Sequence, residues 1–368
     1  MRSAGIVRIR ELTLRPFRNF AAIRLSFAAD HVLIFGPNGR GKSNILEAIS
    51  YLSIGKSVRG AKDQHVVPHG EDFFDIRALC TDGRQDQQVR VFYNKKEGKK
   101  AFVDASPLPR VSELLGTFRT VHFSPEDVSL VLRFPAQRRR LLDILISQSS
   151  AAYLRCTQRY YRVLAQRNHL LRAAKRSGHG FVDSQVIEPW NAQLVDLGAQ
   201  LRLHRLEALD ALRAPFLGYY GRFALAGEEV AVVYQGTKEQ GLEALRAELS
   251  EALSRRREQE TQIGHTLCGP HRDDLKFTLD EEPAEVYASE GQLRTVLISW
   301  KLAEARYMEE QTGRQPVLLL DDAFSELDSG RIGELLDIVG EFEQVIATTP
   351  QEPNARQEAR FESVDLQK

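Results

Sequence analysis

The segment Gly36-Pro37-Asn38-Gly39-Arg40-Gly41-Lys42-Ser43 constrains this chain more than any other stretch. It has the form G-x-x-x-x-G-K-S, follows the apolar run at 31–35 and precedes a run at 42–52. In that second run Ile45, Leu46, Ala48, Ile49 and Leu52 recur at helical spacing. A strand, a glycine loop and a helix in that order make a phosphate cradle. Glycines let backbone N–H groups turn toward phosphate oxygens, and the helix start favours an anion. Lys42 brings a positive charge to the β- and γ-phosphates, and the Ser43 hydroxyl is a ligand for Mg²⁺. The eight residues from Gly36 to Ser43 are therefore the expected ATP-binding loop; the alternative is a plain turn before a helix.

A triphosphate site needs acids for the metal and for water. Val317-Leu318-Leu319-Leu320 reads as a buried strand that ends in Asp321 and Asp322. Alone, a strand end in Asp says little. With the glycine loop upstream, Asp321 is expected to hold Mg²⁺ through water and Asp322 to orient or deprotonate the attacking water. Lys42, Asp321 and Asp322 are the expected catalytic set, with Ser43 and Asp321 on the metal. About thirty residues before Asp321, Ala288-Ser289-Glu290-Gly291-Gln292 opens a helix. Ser289 and the Gly291 amide are placed to cap a γ-phosphate, with Gln292 beside them, although Ser289 also fits an ordinary helix cap. Ser325-Glu326-Leu327-Asp328 follows the acids at the spacing of a D-loop. Thr348 and Thr349 end the next strand, either as hydroxyls near the γ-phosphate or as a simple strand end.

The rest of the chain fits a split domain. Strands are predicted at 6–14, 23–27, 31–35, 73–80, 89–93 and 100–104. From Ser124-Pro125-Glu126, a helix start, the pattern is mostly helical to about residue 212, with breaks at Pro135 and around 177–180. A strand at 230–234 and a helix at 237–257 follow. Strands at 275–279, 286–288, 317–320 and 344–347 then alternate with helices at 292–309 and 331–339. Apolar strands alternating with helices imply a parallel sheet covered on both faces. Residues 1–123 and 265–368 are expected to form one nucleotide-binding head, with 124–264 inserted as a helical domain.

Charge and cysteine content narrow the setting. Fifty Lys and Arg balance fifty Asp and Glu, so any nucleic-acid contact must come from a local patch. Cys80, Cys156 and Cys268 are too far apart for a zinc or disulfide framework. No apolar run reaches the roughly 20 residues of a membrane helix, and a reducing cytoplasm is expected. Between Phe134 and Val182 the only acid is Asp143. The same stretch holds Arg138, Arg139, Arg140, Arg155, Arg159, Arg162, Arg167, Arg172, Lys175 and Arg176, with Tyr153, Tyr160 and Tyr161 interleaved. Arg138, Arg139, Arg155, Arg159 and Arg162 are the candidate DNA contacts, the last three on one helical face. A solvated charged face is the competing reading.

These motifs, in this order, resemble the RecF family of bacterial recombination and repair ATPases. The resemblance covers most of the chain. It includes Leu12-Thr13-Leu14-Arg15-Pro16-Phe17-Arg18-Asn19-Phe20, Phe123-Ser124-Pro125-Glu126-Asp127 and Arg138-Arg139-Arg140-Leu141-Leu142-Asp143. It also includes Gly269-Pro270-His271-Arg272-Asp273-Asp274 and the run from Leu320 to Asp328, whose D-loop residues are Ser325 and Asp328. The fold the resemblance implies is α/β, an ABC/SMC-type P-loop ATPase head with a helical insertion domain. It implies ATP and Mg²⁺ as cofactors, and double-stranded DNA with single-strand/double-strand junctions as partners. RecR and RecO are the implied partner proteins, in helping to load RecA. Thr348 stands where such ATPases place a switch residue. Two departures bear on activity: Glu290 is acidic, and Asp322 replaces the usual Glu, so slow hydrolysis is expected. One chain carries one cradle and one signature loop, so an ATP-dependent homodimer is expected, with Ser289 acting from the second copy. The alternatives are a DNA scaffold glued by ATP without cycling, and the cytosolic ATPase subunit of a transporter.

Overall fold

Strands rich in alternating apolar residues open the chain and pair edge to edge. The computed structural model describes residues 8–128, 134–177, 182–224, 227–325 and 327–366. β1 (Arg8–Leu14) buries Ile9, Leu12 and Leu14 and pairs antiparallel with β2 (Ile23–Ser26). β3 (His31–Phe35) leads into the glycine loop, after which α1 (Lys42–Ile54) begins. β4 (Phe73–Thr81), β5 (Asp86–Asn94), β6 (Gly98–Val103) and β7 (Ser106–Pro107) extend the first sheet in the order β2-β1-β4-β5-β6-β7. Nearly all of α1 is buried, as expected for a helix covered on every side. Ile45, Leu46, Ile49 and Leu52 join Ile9, Leu12, Ile76, Val317, Leu319 and Ile346 in one core. Each such side chain contributes about 1.5–3 kcal/mol by leaving water.

The second sheet is parallel and carries the chemistry. β8 (Thr120–Phe123), buried throughout, comes next in the chain. Two strands and a two-residue strand then belong elsewhere: β9 (Val230–Gln235), β10 (Asp274–Leu279) and β11 (Glu282–Pro283). β12 (Val317–Leu320), β13 (Val345–Thr349) and β14 (Glu362–Asp365) complete the parallel sheet in the order β14-β3-β13-β12-β8. Val317-Leu318-Leu319-Leu320 and the β13 residues are all buried, the signature of a strand covered on both faces.

The longer helices among the described residues between β8 and β12 are α2 (Pro135–Ser149), α3 (Ala151–Ser177), α4 (Ser184–Phe223), α5 (Leu242–Ile263) and α6 (Glu290–Thr312). α7 (Ser329–Val339) follows β12. Two compact units result. The first takes the described residues up to 128 together with those of 215–228 and 288–366. The second takes the described residues of 134–214 and 229–287. Within the second, β9, β10 and β11 form a small antiparallel sheet. Buried ion pairs tie its helices: Arg167 to Glu260 at 2.7 Å, Arg202 to Asp273 at 2.8 Å and Arg205 to Asp143 at 2.8 Å.

Several expected boundaries shift, each for a tertiary reason. The head resumes at Ala288 rather than at residue 265, because Asp274–Leu279 pairs along its whole length with Val230–Gln235. No strand forms at the predicted 286–288; Val286 and Tyr287 belong instead to a helical turn, Ala284–Tyr287. The helix predicted to stop near 212 runs through Pro215 to Phe223, and its residues from Pro215 onward belong to the first unit. A proline inside a helix costs about 3 kcal/mol. Burial of Phe216, Tyr219, Tyr220 and Phe223 offsets it, with Phe216 edge-on to Trp300 at 5.5 Å between ring centres. The predicted break at Pro135 is a helix start, with the proline in the first turn where its missing N–H costs nothing. Part of the break predicted around 177–180, residues 6 and 7 of the first strand, and Glu326 lie outside the described residues.

Candidate nucleotide site

The glycine loop begins where β3 ends, and α1 begins where the loop ends. Gly41 is the cap residue of α1, with φ +99°, and no side chain caps the helix. A β-carbon on Gly41 would lie 2.6 Å from both Asn19 Oδ1 and Phe20 Cζ, so the chain closes tightly against the loop. Asn19 donates to the Arg40 carbonyl at 3.2 Å and accepts from Asn44 at 2.8 Å. Arg18 grips Glu47 of α1 through two hydrogen bonds of 2.9 and 2.7 Å. The Arg18-Asn19-Phe20 segment thus braces the loop from outside, a contact the sequence did not announce. Lys42 folds over the loop and donates to the carbonyls of Gly36 at 2.6 Å and Pro37 at 3.1 Å. Burial lowers the pKa of its ammonium, while Asp322 and Asp321 pull it back up.

The acids arrive from the neighbouring strands. Parallel pairing sets Leu320 beside Ala347, and Ile34 beside Thr348, so the loop, the acids and the threonines all leave the carboxyl ends of adjacent strands. Ligand sites of open parallel sheets lie at that edge. Ser43 Oγ donates to Asp321 Oδ1 at 2.9 Å, bringing together the two residues expected on the metal. Thr348 Oγ1 donates to the same oxygen at 2.6 Å and accepts the Asp322 amide at 3.0 Å. The Thr348 hydroxyl therefore orients the acid pair. Asp322 has a left-handed backbone, φ +48°, and its carboxylate accepts the Ser325 hydroxyl. Burial raises its pKa above the ordinary carboxylate value; the Ser325 bond opposes this and neighbouring Asp321 adds to it.

Of the D-loop residues, Ser325 meets Asp322, and Asp328 caps α7 by accepting the amides of Gly330 and Arg331 at 3.0 and 2.9 Å. Those bonds to the Arg331 amide and others hold its carboxyl below the usual range. Ser289 is exposed and caps α6 in a complete capping box with Gln292. The sequence reading missed Arg59. Its guanidinium lies 3.6 Å from Asp321 Oδ2 and 3.8 Å from Glu126, and it donates to Asn44 at 3.5 Å. No motif marked it, because only the fold brings the loop after α1 back to β12. It also missed His122 of β8, whose buried ring makes no hydrogen bond among the described residues and lies 4.0 Å from Asp127.

The basic candidates divide. Arg155, Arg159 and Arg162 are exposed on one face of α3, as their spacing requires. Arg138 is withdrawn as a DNA contact. It is 5% exposed, makes two hydrogen bonds to Asp274 of 2.9 and 2.7 Å, and lies 3.7 Å from Glu285. Arg139 is half-buried and donates to the Asp273 carbonyl at 2.8 Å. Of the interleaved tyrosines only Tyr161 is exposed; Tyr153 and Tyr160 are buried. Asp143 accepts from both Tyr153 and Arg205, so the one acid of the stretch is already spent inside. His271 accepts the Tyr160 hydroxyl at 2.7 Å and belongs to the packing of the second unit.

A glycine cradle beside strand-end acids, on a parallel sheet flanked by an antiparallel one, defines a P-loop ATPase head of the ABC/SMC type. Residues 8–368 match the model of the RecF/RecN/SMC N terminal domain. The DNA replication and repair protein RecF of Moorella thermoacetica is 39% identical over 341 residues, covering 93% of this chain and 89% of that protein. The protein of the same name from Salinibacter ruber is 34% identical, covering 90% and 81%. The chain belongs to the RecF family. A solved structure of RecF with ATP, described as a recombination mediator protein in the RecFOR pathway, superposes with a TM-score of 0.88. It is 31% identical and covers 96% of this chain and 95% of that one. An Smc head domain from Pyrococcus furiosus, 14% identical with a TM-score of 0.54, shares the fold over 97% of this chain and 92% of that one.

Proposed function

We propose that this protein is an ATP-driven DNA clamp of recombinational repair, closed as a homodimer around two nucleotides and opened by slow hydrolysis. The observation that carries the reading is the split of the chemistry. Lys42, Ser43, Asp321, Asp322 and Thr348 gather at one sheet edge, whereas Ser289 is exposed on a helix end already capped by its own chain. One chain offers one cradle and one such helix end. ATP held by the cradle of one copy is completed by Ser289 of the other.

The donor set fits the cofactor. Ser43 Oγ and Asp321 Oδ1 are hard oxygen ligands held together, and no cluster of three or more His, Cys, Asp or Glu able to hold a metal exists among the described residues. Mg²⁺ is commonly held by one or two carboxylates plus substrate phosphates, and bound there it neutralises phosphate charge. Around it, Lys42 holds the terminal phosphates, Asp322 orients the attacking water and accepts its proton, and Arg59 places a second cation next to Asp321. The raised pKa of Asp322 suits a proton acceptor. Its short side chain and its bond from Ser325 limit its reach to water, which makes hydrolysis slow.

The exposed row Arg155, Arg159 and Arg162 is the DNA surface, gripping phosphates of double-stranded DNA near single-strand/double-strand junctions. By likeness to the RecF proteins, RecR and RecO are the partners through which it helps load RecA. Multi-angle light scattering tests the core of the reading. The protein is expected to shift from monomer to dimer with ATP and Mg²⁺, and Lys42→Met to stay monomeric. A wild-type protein that stays monomeric under both conditions sinks the clamp.

A further inference from the structure

The helix end that carries Ser289 is held from behind by Gln292 and, through it, by residues no motif marks. Gln292 Oε1 accepts the Ser289 amide at 2.8 Å, while Ser289 Oγ accepts the Gln292 amide at 3.3 Å. The side-chain amide of Gln292 has a second end, and Nε2 donates to Glu228 Oε1 at 2.8 Å. Glu228 Oε2 accepts the hydroxyl of Tyr220, which is buried near the end of α4, at 3.0 Å. Arg331 donates to the nearby carbonyl of Phe223 at 3.3 Å. All of these residues lie in the first unit.

The chemistry of this chain fixes a direction. A primary amide has an acceptor face and a donor face, and turning it over exchanges them. Ser289 N–H demands an acceptor, so Gln292 must keep Oε1 there. A carboxylate on the other side demands a donor, so Glu228 forbids the reversed amide, which would set oxygen against oxygen and N–H against N–H. Tyr220 takes the second carboxylate oxygen and stops Glu228 from turning away. Losing Glu228 removes the acceptor that selects the orientation keeping the capping box.

We propose that Glu228 is a positioning residue for the dimer's shared nucleotide site: through Gln292 it aims the Ser289 end of α6 at the γ-phosphate held by the other copy. The inference rests on the two-copy reading above and adds that Glu228 acts on the partner's ATP and not on its own. Gln292 therefore braces the loop within its own chain rather than reaching across.

Mixed dimers test it. Glu228→Ala is expected to bind ATP as a monomer within about twofold of wild type, because its cradle is intact. Its ATP-dependent dimerisation and its turnover fall about tenfold, the scale of one lost hydrogen bond in a charged network. Glu228→Gln, which keeps the shape and an acceptor, is expected to restore most of the loss, whereas Glu228→Met, of similar size with no acceptor for Gln292, is not; a purely packing role would let both rescue. Glu228→Ala mixed with Lys42→Met should regain turnover, since one of the two sites then has a working cradle and a correctly aimed Ser289. A mixture of Ser289→Arg with Lys42→Met is the control. If the control regains turnover and the Glu228→Ala mixture does not, the role of Glu228 is overturned while the dimer stands. If the control also stays silent, the two-copy reading fails and takes this proposal with it.

Discussion

Asp322 is a shorter acid than most ABC ATPases carry at this place, and its backbone accounts for the substitution. At φ +48° the left-handed region tolerates Asp several-fold better than most side chains, and the Ser325 hydroxyl fixes the carboxylate once it is there. Asp322→Asn removes the proposed proton acceptor without the geometry, so turnover is expected to drop at least about 100-fold. The ATP-bound dimer should persist on DNA, seen as slowed release in a surface-binding assay. If release is unchanged, the protein is a scaffold that does not cycle. The grouping of Lys42, Ser43 and the acid pair was legible in the sequence because each sits in a local motif at a strand end. The contacts of Arg59 and Glu228 were not, because their partners lie far along the chain. His271 shows the opposite error to guard against, a motif residue that serves packing. Burial holds it down to about 4, with a charged Arg272 adding to the shift. With Nδ1 accepting from Tyr160 and Nε2 donating to the Thr266 carbonyl at 3.3 Å, it is neutral when folded. Its folded pKa lies below the unfolded value near 6.5, so its contribution is full above pH 6.5 and is lost as pH falls toward 4. That loss amounts to about 3 kcal/mol. Urea unfolding at a series of pH values should show it, and His271→Gln should flatten that window.

Elements whose apolar pattern was complete within a few residues were read correctly. β3 and β12 match their predicted ranges, since a fully buried strand between a turn and a glycine or acid pair leaves little choice. β14, with two exposed residues out of four, exists because β3 offers an edge for it, and no pattern in Glu362–Asp365 announced it. The long α4 passed through Pro215 because four aromatic residues beyond it are buried. The junction of β3, loop and α1 is the element on which function turns. Its tightest point is Gly41, where the positive φ and the contacts to Asn19 and Phe20 both exclude a side chain. Gly41→Ala is expected to cost nucleotide affinity at least about 100-fold, roughly 3 kcal/mol of cradle distortion. Its far-ultraviolet circular dichroism should remain that of wild type. Isothermal titration with ATP decides it, and unchanged affinity would show that the loop is not a cradle.

For the molecule as a whole, charge balance argues against a general attraction to DNA, because fifty cationic side chains meet fifty anionic ones. Burial then takes cations away from the surface of the second unit. Arg138, Arg167, Arg202 and Arg205 are each at most 5% exposed and are matched to Asp274, Glu260, Asp273 and Asp143. Among the cations left exposed on α3 are Arg155, Arg159 and Arg162, in one row on a helix whose described residues carry no acid. A surface of this kind reads phosphates and not bases, so its signature is electrostatic. Each phosphate neutralised contributes about 0.9 to the slope of log affinity against log salt. Replacing the three arginines with glutamine should make that slope shallower by about 3, and equally so on duplexes of different sequence. Arg138→Ala should leave the slope alone and instead destabilise the second unit by about 3–5 kcal/mol, because it strands Asp274 beside Glu285. Fluorescence anisotropy over a salt series, read beside thermal unfolding of the same variants, separates the two kinds of arginine. A slope that does not move when all three are lost means that the DNA grip lies on another face of the protein.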